Sequence, residues 1–147
     1  MSNCAYRHVL YATDLLEGTD AIGARAREMA DHYQARLSLL YVLEHMPVDL
    51  DDGFLPGVGG LADEERLQQA ESAIADLGER LGVTVDQRSI AIGSTKAEII
   101  RFCEEQAVDL LVMGSHSRHG LSVLLGSTAK SVMSNVPCDV LAVRIPE

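Results

Sequence analysis

The residues best suited to bind a charged small molecule lie in one segment near the carboxyl end of the chain. Gly114 to Lys130 reads GSHSRHGLSVLLGSTAK, with glycine, serine and threonine spaced along it. Such residues can expose backbone N–H groups to a phosphate, and a helix that begins near Ser127 and Thr128 would add its positive end. The same residues also suit an ordinary strand-to-helix turn, with a hydroxyl as N-cap. Composition and spacing leave both interpretations open.

Established phosphate-binding and catalytic motifs are absent from the sequence. A P-loop requires GxxxxGK[ST], whereas here five residues separate Gly120 from Gly126 and Ser127 stands in place of the lysine. GxGxxG, GxSxG and HExxH do not occur. His116 and His119 have no carboxylate or cysteine close by in sequence. They are interpreted as polar loop residues, with a catalytic base as the minor alternative and a metal pair disfavoured.

Aspartates form the second group of candidate residues. Asp14 follows the apolar run HVLYAT, where its carboxylate could accept a hydrogen bond from a ribose hydroxyl or a base amine. A turn residue or a helix cap is the competing interpretation. Met46 to Gly60 holds three aspartates, four glycines and two prolines without EF-hand spacing, which predicts a solvated loop rather than a cation site. A lid over a ligand is a further hypothesis for this loop.

Composition bounds the class of protein. The formal net charge of −10 argues against a nucleic-acid binder, which needs a basic face. Three cysteines without CxxC spacing suit a reducing cytosol, with thiols as small core residues. We find neither a signal-peptide pattern nor an apolar run of membrane-spanning length. The expectation is one soluble cytoplasmic domain, residues 1–147, with no membrane or nucleic-acid partner.

Five strand-like runs alternate with four helical patterns. The strands are predicted at residues 8–14, 35–44, 83–92, 108–114 and 138–145, and the helices at 22–33, 61–81, 95–107 (with a capping box from Thr95 to Glu98) and 127–135. This alternation predicts an α/β fold with a parallel sheet and helices on both faces. Ligands of such sheets bind beyond the carboxyl ends of the strands. Asp14 and Gly114 would border one crevice if the first and fourth strands are neighbours, which periodicity alone does not establish.

Over essentially its whole length the chain resembles the universal stress protein family, closest in style to bacterial single-domain A-type members. The resemblance rests on HVLYATD, SLLYVLE, VDLLVMGSHSRHGLSVLLGSTAKSVM and PCDVLAVR, in this order and at these distances. It implies a five-stranded, Rossmann-like parallel sheet of order 3-2-1-4-5, in which the first and fourth strands are neighbours. It also implies a homodimer formed by antiparallel pairing of the last strands, here Val140 to Ile145.

The family contains ATP-binding and non-binding members, and binders look like G-x2-G-x9-G-[ST] after the fourth strand. This chain offers Gly114, then Ser117 in the second glycine place, then Gly126 after an interval of eight residues. The resemblance implies that Asp14 meets the ribose or adenine, and that Val42 offers backbone groups to the base. The full implied set is Ala12, Thr13 and Val42 along the base, Met113 and Gly114 beside the ribose, and Ser117, Gly126, Ser127 and Thr128 at the phosphates.

The resemblance therefore implies a cytoplasmic, homodimeric stress-response protein that binds ATP with magnesium as a sensor or switch, with slow or no hydrolysis. A dimeric stress protein that binds no nucleotide and acts through protein partners, as yet unknown, is the alternative. An adenylating or hydrolytic enzyme of related layout is the weaker third hypothesis. Ser117 discriminates between the first two, because a side chain there opposes the positive φ or close phosphate approach that glycine permits.

Overall fold

A single parallel sheet organises the protein in the computed structural model, which describes residues 6–15, 19–44, 56–115 and 129–144, with side chains left undescribed at 56–63 and 129. Its five strands lie in the order β3-β2-β1-β4-β5, and every neighbouring pair is parallel. The strands are β1 (His8–Thr13), β2 (Arg36–Leu43), β3 (Arg88–Ile92), β4 (Leu110–Gly114) and β5 (Asp139–Val143). The predicted class, strand order and adjacency of β1 and β4 are confirmed.

Helices cover both faces of the sheet, because the central strands carry apolar side chains on both sides. The helices are α1 (Thr19–Tyr33), α2 (Pro56–Leu81), α3 (Thr95–Glu105) and α4 (Ala129–Asn135). On one face, which we call the first core, Val9 and Tyr11 of β1 pack with residues of α1 and α2. On the other face, the second core, Leu10 packs with residues of α3 and α4. Alternate residues of β1 thus serve opposite cores.

The third strand is shorter than predicted. Only Arg88–Ile92 is extended, and a single 3-10 turn, Val85–Gln87, precedes it. The backbone N–H of Gln87 donates to the Thr84 carbonyl over 2.9 Å, which closes that turn. Val83 is buried in the first core while Val85 is 73% exposed, so the apolar residues of this segment do not all face the sheet.

Helix boundaries also differ from the predictions, and the first helix begins at Thr19 instead of residue 22. The second helix begins at Pro56, since proline is accepted in a first helical turn, so the predicted loop loses residues 56–60. Residues 46–55, with the proposed lid, lie outside the described part of the chain. The third helix is capped by Ser94, whose hydroxyl accepts from the Ala97 N–H over 3.3 Å. The predicted capping box was therefore placed one residue late.

The carboxyl end of α3 is set by backbone conformation. The helix ends at Glu105 instead of Ala107 because Ala107 has a φ of 53°, in the left-handed region. Its neighbour Val108 then donates to the Cys103 carbonyl over 3.1 Å and enters the second core. β4 starts two residues beyond Val108, so the strand predicted from that valine is also slightly shorter.

Candidate functional site

The predicted crevice lies at the carboxyl ends of β2, β1 and β4. Thr13 pairs in register with Tyr41 of β2, and Tyr11 pairs with Val112 of β4. Val42 and Met113 each lie one residue further along, so they stand on either side of the end of β1. Asp14 follows directly after that end. The structure thus brings together the predicted residues of three strands at one edge of the sheet.

Ala12, Val42 and Met113 form the apolar end of the second core at this edge. All three belong to the second core, and Val42 and Met113 are only 8% and 6% exposed. Ala12 is half-buried against the same core. Their shared face follows from the parity of each strand, because residues two apart point to the same side of a sheet. Three of the five positions that the resemblance assigns to base and ribose therefore share one side of the sheet.

The turn after β1 holds Asp14 between two fixed residues. The Thr13 hydroxyl accepts from the backbone N–H of Leu15 over 2.9 Å, and Leu15 has a φ of 59°. A bulky residue in the left-handed region is strained and marks a turn that its surroundings enforce. The Tyr11 hydroxyl donates to the Thr19 carbonyl over 2.8 Å and ties the start of α1 to β1. Thr13 shares the side of the strand with Tyr11, opposite to Ala12.

Glu44, directly after β2, joins three elements at the same edge. Its carboxylate accepts from the Thr95 N–H at the start of α3 over 3.0 Å, and its carbonyl accepts from Arg66 of α2 over 2.9 Å. A carboxylate at a helix N-terminus is the favoured arrangement, since it meets free N–H groups and the positive end of the helix. The positive end of α3 is therefore already paired with the Glu44 carboxylate. Sequence analysis did not single out Glu44, whose only signal was its place after a buried strand.

Tyr41 adds a neutral hydroxyl close to the crevice. Burial raises the pKa of Tyr41 above its usual value, Arg66 opposes the shift, and the carboxylates of Asp14 and Glu44 reinforce it. The phenol consequently stays protonated at neutral pH and remains a hydrogen-bond donor. Both carboxylates therefore lie within electrostatic reach of the Tyr41 side chain.

On the β4 side, the structure describes the crevice as far as Ser115. The backbone N–H of Ser115 donates to the Val143 carbonyl of β5 over 2.8 Å, which fixes the end of β4 at Gly114. The other predicted residues of this segment lie outside the described part of the chain, namely His116, Ser117, His119, Gly126, Ser127 and Thr128. Their roles stay predictions. Among the described residues, no group of three metal-ligating side chains occurs.

A second polar group, missed by sequence analysis, lies at the opposite, amino edge of the sheet. His8 and Ser38 are 3% and 2% exposed, and His8 Nε2 lies 2.7 Å from the Ser38 hydroxyl, which in turn donates to Gln87. Arg36 Nη2 and the Gln106 carbonyl lie 3.0 Å and 2.9 Å from His8 Nδ1. Because the Ser38 hydroxyl gives its proton to Gln87, it accepts from the N–H at His8 Nε2. Polar residues at the start of otherwise apolar strands were the available signal.

The pKa of His8 is lowered from its usual value. Burial is the main cause and Arg36 contributes, while the Gln106 carbonyl and Asp109 oppose the shift. Each polar contact of this group lies within the protein, and no buried side-chain nitrogen or oxygen among the described residues lacks a partner. The amino edge is therefore structural, which leaves the carboxyl edge as the candidate binding site.

Comparisons with known proteins agree with this fold. The sequence model of the universal stress protein family matches residues 5–144. "Universal stress protein A homolog 2" of Coxiella burnetii is 33% identical over 143 residues, covering 95% of this chain and 96% of its own length. Universal stress protein UspA from Lactobacillus plantarum superposes with a TM-score of 0.81 at 24% identity, covering 97% and 100% of the two chains.

A third similar protein was solved with a bound small molecule. It is a universal stress protein in complex with cAMP, with a TM-score of 0.65 at 20% identity, covering 97% of this chain and 99% of its own. Within the described residues of our protein, no helix is long and apolar enough to span a membrane. The family match over nearly the whole sequence, together with the strand order observed above, shows that this chain belongs to the universal stress protein family.

Proposed function

We propose that the carboxyl-edge crevice binds an adenine nucleotide, ATP with magnesium, and that the protein acts in the cytoplasm as a single-domain, homodimeric nucleotide sensor or switch. The observation that carries this proposal is the shared face of Ala12, Val42 and Met113, with Asp14 directly beyond β1. Apolar clefts with a few placed polar groups are typical of cofactor sites. A related protein bound to cAMP supports adenine as the base.

The residues present fit the parts of such a ligand. An adenine ring would contact the side chains of Ala12 and Val42 and the backbone of Thr13, and the Asp14 carboxylate would accept a hydrogen bond from a ribose hydroxyl or the base amine. Met113 and Gly114 would lie beside the ribose. Backbone N–H groups and hydroxyls would meet the phosphates from the predicted set of Ser117, Gly126, Ser127 and Thr128. Magnesium would be held mainly through the phosphates.

The position of Glu44 indicates where the phosphates would go. Since its carboxylate already meets the start of α3, a phosphate there would face a like charge. The segment after β4 is the alternative place at the same edge. Nucleotide binding requires only hydrogen-bond donors and an apolar contact surface. We therefore expect slow or absent hydrolysis of ATP.

Calorimetric titration with ATP and magnesium tests the proposal on nucleotide-stripped protein. We expect binding heat for the natural chain and a loss of affinity of at least about tenfold for Asp14→Ala, since a hydrogen bond to a charged group contributes roughly 1.5–3 kcal/mol. Asp31→Ala is the matched control, because Asp31 is an exposed aspartate at the far end of α1. Equal affinities of both variants would overturn the placement of the site.

A dimeric protein without nucleotide is the second candidate, favoured by Ser117 and by the shortened interval to Gly126. In that case the segment after β4 is a structural turn, and protein surfaces carry the function. Ser117→Gly separates the two candidates in the same titration. Binding that appears only in this variant would establish the second candidate, whereas binding by the natural chain establishes the first.

The edge strand β5 supports the proposed homodimer. Asp139 and Val143 make their backbone hydrogen bonds toward β4, through the Asp139 N–H and the Val143 carbonyl. Because successive residues of a parallel strand alternate their direction, the backbone groups of Val140 and Ala142 point away from β4. An apolar edge strand with such groups is suited to pair with a second copy.

A further inference from the structure

One ring nitrogen of His8 lies beside two groups that require it in opposite protonation states. Nδ1 is 3.0 Å from Arg36 Nη2, which can only donate, and 2.9 Å from the Gln106 carbonyl oxygen, which can only accept. A ring nitrogen without a proton accepts from the guanidinium, whereas a ring nitrogen with a proton donates to the carbonyl. Both contacts are within hydrogen-bond distance, yet only one of them is a hydrogen bond at a time.

The other ring nitrogen determines where a second proton can bind. The Ser38 hydroxyl donates to Gln87 Oε1 over 2.7 Å, so it accepts from the N–H at His8 Nε2 over the same distance. The Gln87 amide is oriented by its own donation to Asp86 over 3.5 Å. Because Nε2 holds the proton of the neutral ring, Nδ1 has none and accepts from Arg36. A second proton therefore binds at Nδ1.

The Gln106 carbonyl is held in place by the end of α3. Gln106 is the C-cap of this helix, and its own N–H donates to the Phe102 carbonyl over 2.9 Å. The next residue, Ala107, has a φ of 53°, a left-handed conformation that residues with a side chain rarely adopt. The last carbonyls of a helix have no partner within the helix and carry its negative end, which favours a cation such as imidazolium. This carbonyl is therefore a well-placed acceptor for a proton on Nδ1.

Arg36, by contrast, can leave the ring, because it is exposed at the start of β2. Its guanidinium stays charged and can exchange the imidazole for water. Asp86, in the turn before β3, lies within electrostatic reach of it. Asp109 is the other charged group near the ring, and its carboxylate accepts from the backbone N–H groups of Arg7 and His8 over 2.8 Å and 3.0 Å. Among the described residues, Arg36 thus opposes protonation of the ring and Asp109 favours it.

We propose that His8 is a proton-driven switch between two hydrogen-bonded arrangements of the amino edge. With a neutral ring, Arg36 of β2 donates to Nδ1. When a proton binds at Nδ1, the ring donates to the Gln106 carbonyl and ties β1 to the end of α3. Arg36 is then released toward solvent and Asp86. Only a proton is exchanged with the solvent, and no bond between heavy atoms changes.

The switch responds to acidification. Burial is the main cause that lowers the pKa of His8, and Arg36 contributes, against the Gln106 carbonyl and Asp109. The exchange of partners is therefore expected below the ordinary histidine pKa of about 6.5. The proposal does not rest on nucleotide binding, because His8 lies at the amino end of β1 and the crevice lies at the opposite edge of the sheet.

Nuclear magnetic resonance of the full chain, with isotope-labelled histidine, tests the exchange. Long-range proton–nitrogen correlations report which ring nitrogen carries a proton, and the signals of His8 are assigned through bonds to its own backbone amide. At neutral pH we expect a proton on Nε2 alone. On acidification a second N–H should appear at Nδ1 while the backbone spectrum remains that of the folded protein. The side-chain N–H signals of Arg36 should change with the same midpoint.

Arg36→Met separates the switch from a histidine that is only buried. The substitution keeps an apolar stem and removes the charge and the donor that oppose a proton on Nδ1, so His8 should titrate at a higher pH than in the natural chain. Arg25→Met is the matched control, because Arg25 is an exposed arginine of α1 that pairs with Glu28. The control should leave the titration of His8 unchanged.

Three results would overturn the proposal: a neutral ring with its proton on Nδ1, a ring that stays neutral until the protein unfolds, or the same titration of His8 in Arg36→Met and in the natural chain. The first two are measured on the natural chain, so the decision does not depend on the folding of a variant.

Discussion

At the scale of single residues, His8 shows how a buried polar side chain couples folding to pH. Its ring donates to Ser38 and lies beside Arg36 and the Gln106 carbonyl, and burial is the main cause of its lowered pKa. The unfolded chain therefore binds the proton more tightly than the folded chain. Stability is fully present above the ordinary histidine pKa of about 6.5 and falls as the pH drops toward the lower folded value.

Replacing His8 by glutamine should flatten this pH dependence. Urea unfolding at pH 7.5 and 5.5 measures the free energy of unfolding of both proteins, and the natural chain should lose more of it on acidification than His8→Gln. Each protein gives one slope, the change of its unfolding free energy between the two pH values. Subtracting one slope from the other removes the contribution of the carboxylates, which both proteins share. Identical slopes would show that His8 titrates in the folded state as it does in the unfolded chain.

At the scale of elements, Arg88 of β3 lies against α2 where Gly78 leaves room for it. The Arg88 side chain is 11% exposed, donates to the Val83 carbonyl over 3.0 Å and pairs with Glu79 over 2.8 Å. A Cβ added to Gly78 would lie 2.1 Å from Arg88 Nε. Gly78 is therefore required because the Arg88 side chain packs against it, although alanine is the better helix former.

Gly78→Ala should destabilise the protein by about 1–3 kcal/mol in urea unfolding, the usual cost of overpacking. In an Arg88→Ala background the same change should be neutral or stabilising by up to about 1 kcal/mol, because only the helix preference remains. A double-mutant cycle of the four proteins measures this reversal. Equal effects of Gly78→Ala in both backgrounds would contradict the assigned clash.

Much of the element pattern followed from the sequence, and its errors have local causes. The apolar runs of β1 and β2 predicted strands within one or two residues, because these strands are buried on both faces. The apolar run around Val83 and Val85 predicted a strand that begins too early, because only Val83 reaches the core. The strand order came from the family resemblance, because periodicity carries no information on which strands are neighbours.

The candidate site was predictable only where it follows strand ends. Asp14 and Gly114 were identifiable because ligands of parallel sheets bind beyond the carboxyl ends of strands. Glu44, Thr95 and Arg66 meet through contacts between elements far apart in sequence. Composition treats such residues singly, so their pairing required the structure.

At the scale of the whole molecule, β5 is the strand on which the proposed dimer depends. Among the described strands it pairs with β4 alone, and its middle residues Val140 and Leu141 are only half-buried. The proposed dimer would cover this edge by antiparallel pairing. The net charge of −10 makes the molecules repel one another, which disfavours non-specific association. We therefore expect contact through specific hydrogen bonds between two β5 strands.

Ala142→Pro tests the dimer. Proline removes an N–H that points away from β4, which an edge strand tolerates, so the chain should fold while the association between copies weakens at least tenfold. Ala142→Thr keeps the N–H and serves as the control. Analytical ultracentrifugation over a range of concentrations measures both. A proline variant that associates as tightly as the natural chain would rule out pairing through this edge.

The placement of β1 between β2 and β4 also sets an order of events in time. Leu10 pairs with Leu111, so one side of the crevice is synthesised at the start of the chain and the other about a hundred residues later. A growing chain can align β1, β2 and β3 early, yet it has no complete crevice until β4 docks on the exposed side of β1. Such distant pairing is slow to form. Occupancy of the crevice would then report a finished protein, and a ligand present during synthesis would select chains that have completed their sheet.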